Sequence, residues 1–304
     1  MSLAPIVLFI YNRPQHTLRT LEALEKNKLA SESDLYIFSD GAKENADGET
    51  KKKIEETKII AKSKKWCKNV VIYESSINKG LASSIIDGVS QIIAQHGKVI
   101  VLEDDLVISV HFLKFMNDAL DMYEEEESVA CISGYIYPVK SKVSETFFLK
   151  GADCWGWATW SRAWNVFEKD GVKLLDELNR KNLGKEFDFD NTYPYTLMLK
   201  EQIEGKNNSW AIRWYASAFL KNMFCLYPGI SLVQNIGIDG SGTHSGNSNK
   251  WEVELAAKEV VVKKIEIKQS VTGFNAFKAY FKTLLPSSLS KIKGFVKNII
   301  NGKV

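Results

Sequence analysis

The arrangement of apolar segments over residues 1–128 predicts an α/β fold with a mostly parallel sheet flanked by helices. Short apolar runs that end in polar residues alternate with segments that have one apolar face, which is typical of βαβ units. The chain has 304 residues, of which 45% are apolar and 25% charged. This is the composition of a globular protein with a large core, in one large domain or two smaller ones.

Four apolar runs are the predicted strands of this half. Each is short and continuous, as expected for a strand that is buried on both faces. Right-handed crossovers place the carboxyl ends of such strands along one edge, where open α/β sheets bind ligands. The predicted strands are Ile6–Ile10, Leu35–Phe38, Val70–Tyr73 and Val99–Leu102.

Charge and cysteine content exclude several classes of protein. The chain carries a net charge of +3, but residues 271–304 contain six lysines and no acidic residue, so residues 1–270 sum to −3. A weakly acidic body is not the pattern of a nucleic-acid-binding domain, and no nucleic-acid partner is expected. Four cysteines without a C-x-x-C pair indicate reduced thiols and a cytoplasmic location. Neither a signal peptide nor a membrane-spanning stretch is predicted.

The pattern changes from about residue 129, where short apolar pieces are separated by loops. This change predicts a second lobe built on the first rather than an independent domain. The lobe is rich in tryptophan, with indoles at 155, 157, 160, 164, 210 and 214.

Three adjacent carboxylates, Glu103, Asp104 and Asp105, follow the fourth predicted strand. Such neighbours repel one another unless a cation or a hydrogen-bond donor stabilises them. Their hard oxygen atoms suit Mg²⁺ or Mn²⁺, ions that also hold substrate phosphates. The alternative is a solvated acidic turn without a ligand.

Three chemistries place acidic residues at the ends of parallel strands. A P-loop NTPase needs G-x-x-x-x-G-K-[ST], which the chain lacks. A phosphoacceptor or aspartyl phosphatase would carry its Asp after the first strand, which here ends in Asn12-Arg13-Pro14. A sugar-nucleotide transferase needs a metal held by carboxylates against the diphosphate, and it fits best.

Five segments in register resemble glycosyltransferases of the GT-A fold, a Rossmann-like architecture. The similarity is to the branch that contains N-acetylglucosaminyltransferase type I and to bacterial relatives that build surface polysaccharides. It implies a GT-A domain over 1–250, with a nucleotide-binding half (1–128) and an acceptor half (129–250), followed by an extension (251–304). The segments are Ile10-Tyr11-Asn12-Arg13-Pro14, Phe38-Ser39-Asp40-Gly41, Val101-Leu102-Glu103-Asp104-Asp105-Leu106, Trp155-Gly156-Trp157 and Gly240-Ser241-Gly242-Thr243-His244.

The resemblance implies a set of residues that bind the nucleotide sugar. Asn12 belongs to this set, Arg13 would face the diphosphate, and Asp40 would hydrogen-bond the base, with uracil expected. Asn78 and Lys79 would flank the donor. Alternatively, Asp40 is the first residue of an Asp-Gly turn, and the segment from Asn78 is only the entry to a helix.

The same resemblance implies a metal site that holds Mn²⁺ or Mg²⁺. Asp105 would bind the metal directly, while Glu103 and Asp104 would contact the sugar and the ribose. His244 would lie near the metal or the diphosphate, although a histidine in a Gly/Ser-rich loop can also be a solvated surface residue.

The acceptor side departs from the family pattern. In the type I enzymes the general base lies in a Trp-Asp-Asp-Trp stretch, and the matching segment here, Trp210-Ala211-Ile212-Arg213-Trp214, has no carboxylate. Asp153 is the leading candidate for a base, and Asp190, Glu201 and Glu204 are weaker ones. Otherwise the reaction retains configuration and needs no base there.

Aromatic and basic side chains are the candidates for an acceptor or sugar pocket. Indole rings stack on the C–H faces of sugars, and the glycine between Trp155 and Trp157 permits close backbone approach. Trp210 and Arg213 are further candidates, since Arg213 could support phosphate or acceptor charge. The alternative is that these large rings fill the lobe.

The basic C-terminal segment predicts two amphipathic helices separated by Pro286. They pack on the body or form a dimer contact, or they bind an anionic membrane surface through residues 271–304, which is the favoured interpretation. Apolar residues fall at 274, 277, 280, 281, 284 and 285 in one helix, and at 289, 292, 295, 296, 299 and 300 in the other.

These features together predict a cytoplasmic, metal-dependent glycosyltransferase, peripheral on the inner face of the membrane. It would transfer a sugar from a nucleotide diphosphate, expected to be UDP, to a glycan or lipid-linked glycan acceptor in bacterial surface polysaccharide synthesis. Two alternatives stay open. One is a sugar-nucleotide hydrolase or nucleotidyltransferase, and the other is a carbohydrate-binding relative without catalysis.

Overall fold

A computed structural model describes residues 2–239 and 249–284 of the chain. Over these ranges the chain forms an eight-stranded sheet and a two-stranded sheet with helices packed against them. The strands are β1 (Ile6–Ile10), β2 (Asp34–Ser39), β3 (Asn69–Glu74), β4 (Lys98–Glu103), β5 (Leu106–Ile108), β6 (Val129–Ser133), β7 (Thr146–Lys150), β8 (Trp157–Trp160), β9 (Phe224–Pro228) and β10 (Val233–Asn235).

The helices lie between these strands, and two short 3₁₀ turns occur at Ala30–Glu32 and Asn249–Trp251. The α-helices are α1 (Pro14–Glu25), α2 (Gly48–Lys62), α3 (Leu81–His96), α4 (Phe112–Met122), α5 (Ser161–Trp164), α6 (Gly171–Arg180), α7 (Gly184–Phe187), α8 (Tyr195–Ile203), α9 (Trp210–Leu220) and α10 (Val271–Leu284).

The large sheet has the order β3-β2-β1-β4-β8-β6-β9-β7. The strands β3, β2, β1 and β4 are all parallel, and so is the pair of β6 and β9, whereas β8 and β7 run antiparallel to their neighbours. The α/β class is therefore confirmed. The parallel arrangement holds throughout the first half of the sheet, and the second half is mixed.

Burial explains why the four predicted strands form. All five residues of β1 are buried, and β4 is buried up to Glu103. Both strands have helices or strands on every side, so continuous apolar runs suit them. The outer strand β3 alternates between exposed and half-buried residues, as an edge strand should.

The first helix begins immediately after β1. Pro14 occupies the first helical turn, where its missing N–H is not needed, and Arg13 is the N-cap residue. Thr17, one turn further on, is buried within the helix. This early start places Arg13 at the carboxyl edge of the sheet.

The two halves of the chain share the sheet because β8 pairs with both β4 and β6. Behind β8 lies an aromatic core in which the Trp157 ring stacks on Trp210, with 5.4 Å between centroids. Trp164 and Trp214 pack edge to face at 5.2 Å in the same cluster. The predicted second lobe is thus built directly on the first.

The segment after Trp251 runs along the body of the protein. The Ser109 hydroxyl donates to the Ala256 carbonyl at 2.7 Å, and the Tyr123 hydroxyl donates to the Lys263 carbonyl at 3.1 Å. It leads into α10, which packs against β7.

The first predicted tail helix is present as α10, and its apolar face covers the body. Phe277 and Phe281 are buried, and their rings lie 4.9 Å and 5.0 Å from that of Tyr137. The membrane-binding prediction is therefore wrong for the apolar face of this helix, because protein already covers it. Pro286 and the second predicted helix lie outside the described residues.

Among the helices of residues 2–239 and 249–284, none combines the length and the apolar content needed to cross a bilayer.

We expect Phe277→Ala to lower the free energy of unfolding by about 3–5 kcal/mol, because it removes a buried ring and leaves a cavity. Val271→Ala is the matched control on the same helix, since Val271 is 73% exposed, and it should change stability by less than about 0.5 kcal/mol. Urea denaturation followed by circular dichroism measures both. Equal effects of the two substitutions would contradict the packing of α10 on the body.

Candidate functional site

The three carboxylates lie where β4 ends beside β1. Glu103 is the last residue of β4 and pairs in register with Phe9. The segment after β1 therefore passes next to the cluster, and the Tyr11 amide donates to Asp104 Oδ2 at 3.2 Å. Arg13 Nη1 donates to Asp105 Oδ2 at 2.8 Å. The structure thus brings Arg13 and the acidic cluster together, as the sequence predicts.

The carboxylates are deep in the protein, yet they still reach solvent. The side chain of Asp105 is 19% exposed and that of Arg13 is 17% exposed. Burial and then the charge of Asp105 raise the pKa of Asp104 to about 7. Burial also raises the pKa values of Glu103 and Asp105, against the opposing effect of Arg13. A cluster that resists full ionisation is one that an additional cation would stabilise.

Gly237 lies against the ion pair of Arg13 and Asp105. The antiparallel pairing of β5 with β10 brings the chain back to the cluster, and the Ile236 amide donates to the Asp105 carbonyl at 2.8 Å. A Cβ on Gly237 would overlap Asp105 Oδ2 and lie 2.7 Å from Arg13 Nη1. Only glycine therefore lets the backbone pass this close to the ion pair of Arg13 and Asp105. Sequence reasoning missed it because the contact depends on strand pairing.

The residues at this edge fit a divalent cation whose remaining coordination positions are filled by a bound ligand. Within the described ranges, no three His, Cys, Asp or Glu side chains are arranged to hold a metal by themselves. Mg²⁺ and Mn²⁺ sites, however, often take one or two carboxylates together with substrate phosphates. Asp105 offers one partly exposed carboxylate, while His244 lies outside the described residues. His16, which sequence reasoning did not single out, lies 3.2 Å from Asp239.

Asp40 joins the loop after β2 to the loop before α3. Its carboxylate accepts hydrogen bonds from the amides of Gly41, Lys79 and Gly80 at 2.8–3.0 Å and from Asn78 Nδ2 at 3.0 Å. Asp40 is only 8% exposed. These bonds make it an organiser of both loops, and contact with a base stays a prediction.

Tyr11 connects this loop region with the acidic cluster. Its amide binds Asp104, and its phenol lies near the backbone of Lys43 and the Asp40 carboxylate. Burial raises the pKa of the Tyr11 phenol, and Asp40 raises it further. Asn12, half-buried, follows it directly. The predicted nucleotide residues thus line one continuous stretch of the sheet edge.

Lys79 lies at the solvent side of this stretch. Its side chain is 46% exposed, and its Nζ is 3.7 Å from Asp87 Oδ2 on α3. The backbone amide of Lys79 donates to Asp40, so a ligand at this position would contact the exposed side chain of Lys79.

Asp153 is held in the loop between β7 and β8. Its Oδ1 accepts from the amides of Cys154 and Trp155 at 2.7 Å and 3.4 Å, and its Oδ2 accepts from the Tyr227 hydroxyl at 3.1 Å. Burial raises the pKa of Asp153 to about 6, and these hydrogen bonds oppose the increase. A carboxylate with such a pKa is mostly ionised at pH 7 and is still a usable base.

Strand pairing places the loop that carries Asp153 at the same end of β4 as the acidic cluster. Trp157, the first residue of β8, pairs with Val101 of β4 in an antiparallel arrangement. Burial raises the pKa of the Cys154 thiol, and the carboxylates of Asp153 and Glu103 raise it further, which is consistent with this placement.

Three predicted pocket residues are core residues instead. Trp157 has no exposed surface and Trp210 is 4% exposed, so neither ring can stack on a sugar. The Arg213 guanidinium donates to the carbonyls of Ser209 and Lys169 at 3.2 Å and 3.1 Å and is buried. The prediction of a sugar pocket is therefore wrong for these three residues. The two indole rings pack within the core, and the Arg213 guanidinium is bound to backbone carbonyls.

Trp155 differs from these residues, since it is half-buried. Its ring packs edge to face against Tyr135 at 4.7 Å and against Trp251 at 5.9 Å. It follows Asp153 by two positions, and the intervening turn ends at Gly156 with a φ of 62°. Trp155 therefore stays a candidate for sugar contact.

We expect Tyr227→Phe to raise the pKa of Asp153 above about 6, because the hydrogen bond that stabilises the ionised carboxylate is lost. A ¹³C NMR titration of labelled aspartate measures this shift. Tyr215→Phe is the matched control, since the buried Tyr215 hydroxyl donates to the Phe187 carbonyl at 3.0 Å. An unchanged Asp153 titration in Tyr227→Phe would contradict the described contact.

Comparisons with known proteins give limited similarity. No protein-family model and no curated protein match the chain. Among solved structures, the chain is similar to S. aureus TarS, with 18% identity over 48% of this chain and 24% of that chain at a TM-score of 0.32. It is also similar to a nucleotide-diphospho-sugar transferase structure from Desulfovibrio desulfuricans G20, with 9% identity over 56% of this chain and 69% of that chain at a TM-score of 0.33. A third similar structure is that of an active-site mutant of LgtC, with 13% identity over 58% of this chain and 64% of that chain at a TM-score of 0.34.

Proposed function

We propose that the chain is a metal-dependent glycosyltransferase that moves a sugar from a nucleoside diphosphate, with UDP as the expected carrier, to a glycan acceptor in bacterial surface polysaccharide synthesis. The observation that carries this proposal is the cluster of Arg13, Glu103, Asp104 and Asp105 at the carboxyl edge of parallel strands. Ligands of open α/β sheets bind at this edge. The partial exposure of the Asp105 carboxylate, through which a ligand could reach it, supports the proposal.

On the donor side, Asp105 would hold Mn²⁺ or Mg²⁺, and His244 is a second expected ligand. Once bound, the cation would neutralise charge that develops on the leaving diphosphate. Arg13 is suited to the same anion, because a guanidinium binds phosphate oxygens through two parallel hydrogen bonds. Tyr11 and the loop organised by Asp40 would form the wall beside the nucleoside.

On the acceptor side, Asp153 would remove a proton from the acceptor hydroxyl. Its hydrogen bonds with Tyr227 and with the Cys154 amide fix the carboxylate in one orientation. Burial keeps its pKa near the working pH, which favours proton transfer. This role gives inversion of configuration at the transferred sugar.

Donor binding is tested by thermal shift with UDP-sugars in the presence and absence of Mn²⁺. Ligand that binds only the folded state stabilises it, and a concentration about 100-fold above Kd should raise Tm by roughly 5 °C. Asp105→Ala and Gly237→Ala should abolish the Mn²⁺-dependent part. Asp176→Ala, at an exposed carboxylate on α6, is the control. A shift that survives in Asp105→Ala would contradict the metal assignment.

Catalysis by Asp153 is tested with Asp153→Asn, which should reduce kcat by about 10²–10⁴-fold and leave the Mn²⁺-dependent thermal shift intact. Product analysis in the same reaction separates the alternatives. Free sugar without a glycoside would favour a hydrolase. Sugar binding without any nucleotide effect would favour a carbohydrate-binding relative, an alternative that the missing Trp-Asp-Asp-Trp carboxylates keep open.

Membrane binding is proposed only for residues 285–304, which include Lys291, Lys293 and Lys297. Each lysine near an anionic surface contributes about 1 kcal/mol. We expect deletion of residues 285–304, which leaves α10 in place, to release the protein from anionic liposomes in a sedimentation assay. Neutral liposomes are the control, and unchanged sedimentation would contradict a peripheral location at the cytoplasmic membrane face.

A further inference from the structure

A groove of about 460 Å³ runs between α8, α10 and the 3₁₀ turn that ends at Trp251. Two half-buried aromatic side chains, Tyr193 and Trp251, line it together with Leu197 and Glu201. Its volume is in the range of about 300–1,000 Å³ that is usual for small-molecule sites. None of the residues predicted to bind the donor lines this groove.

Trp251 forms a fixed platform at one end of the groove. Its carbonyl accepts a hydrogen bond from the Tyr135 hydroxyl at 2.9 Å, and the Tyr280 hydroxyl on α10 donates to the preceding carbonyl, that of Lys250. Two residues later, the Val253 amide donates to Gln234 Oε1 at 2.7 Å. The indole is therefore held by backbone contacts on both sides and keeps its orientation without a ligand.

The groove adjoins the loop that carries Asp153. The Trp251 ring, which lines the groove, lies 5.9 Å from that of Trp155, whose amide donates to the Asp153 carboxylate. Tyr193 also lines the groove, and the Cys154 thiol raises the pKa of its phenol, after the larger effect of burial. A ligand in the groove would therefore lie close to the loop that holds Asp153.

The lining has the chemistry of a saccharide site. Aromatic faces pack against the C–H faces of sugar rings, and the Tyr193 hydroxyl and the Glu201 carboxylate can hydrogen-bond sugar hydroxyls. Leu197 adds an apolar edge that is 52% exposed. We infer that this groove binds the glycan acceptor and directs one of its hydroxyls to Asp153. The inference rests on the proposed function. It assigns the acceptor site to the groove beside α10 and not to the buried Trp157 and Trp210.

Saturation-transfer NMR of the full-length protein tests this inference. The probes are methyl glycosides of the common hexoses, N-acetylhexosamines and 6-deoxyhexoses. At least one should bind the wild-type protein, and Trp251→Ala should weaken that binding roughly fivefold to tenfold by removing one stacking surface. Leu197→Ala should weaken it less, and it tests the groove without disturbing the packing of Trp251. Ile230→Ala, at a side chain that is 57% exposed elsewhere, should leave binding unchanged.

Thermal shift with UDP-sugar and Mn²⁺ on the same variants separates this inference from the proposed function. Donor binding should be retained in Trp251→Ala and Leu197→Ala. Wild-type protein that binds no glycoside, or binding that is equal in Trp251→Ala, Leu197→Ala and Ile230→Ala, would overturn the acceptor groove. If the wild-type protein does not bind the donor, the proposed function is wrong. Glycoside binding in the groove is then decided by the NMR measurements on Trp251→Ala, Leu197→Ala and Ile230→Ala.

Discussion

Repulsion among Glu103, Asp104 and Asp105 is the constraint around which the sheet edge is organised. Three carboxylates at the end of one buried strand would destabilise the fold if all were ionised without a partner. The parallel pairing of β1 with β4 supplies one partner, because it delivers Arg13 to Asp105 at 2.8 Å. Burial is the largest cause of the raised pKa values of all three carboxylates, and repulsion adds to it for Glu103 and Asp104. A cation at this edge would stabilise the ionised carboxylates.

The second half of the molecule brings a different carboxylate to the same edge. Because β8 runs antiparallel to β4, the loop before β8 lies beside the end of β4. That loop carries Asp153 and its neighbour Cys154, and the charge of Glu103 is one of the causes that raise the pKa of the Cys154 thiol, after burial. One sheet therefore holds both groups of carboxylates, and their separation does not depend on the angle between two independent domains.

Local patterns in the sequence predict the first half of the sheet well and the second half poorly. The four parallel strands are continuous apolar runs with polar residues after them, so their burial and their ends are visible without the structure. In contrast, β8 is Trp157–Trp160, a segment that resembles a loop rich in tryptophan. Gly237 depends on the pairing of distant strands, and no local signal marks it. For α10 the amphipathic pattern predicts the helix but cannot distinguish protein from lipid as the material that covers it.

The docking of α10 joins the C-terminal segment to the interior of the second lobe. The Phe277 ring lies 5.3 Å from that of Tyr227, and the Tyr227 hydroxyl holds Asp153. Only two side chains therefore separate this late part of the chain from the proposed base. Helix α10 therefore supports the Asp153 carboxylate through Tyr227, and a truncation made within 271–284 would alter the surroundings of Asp153 as well as the stability of the lobe.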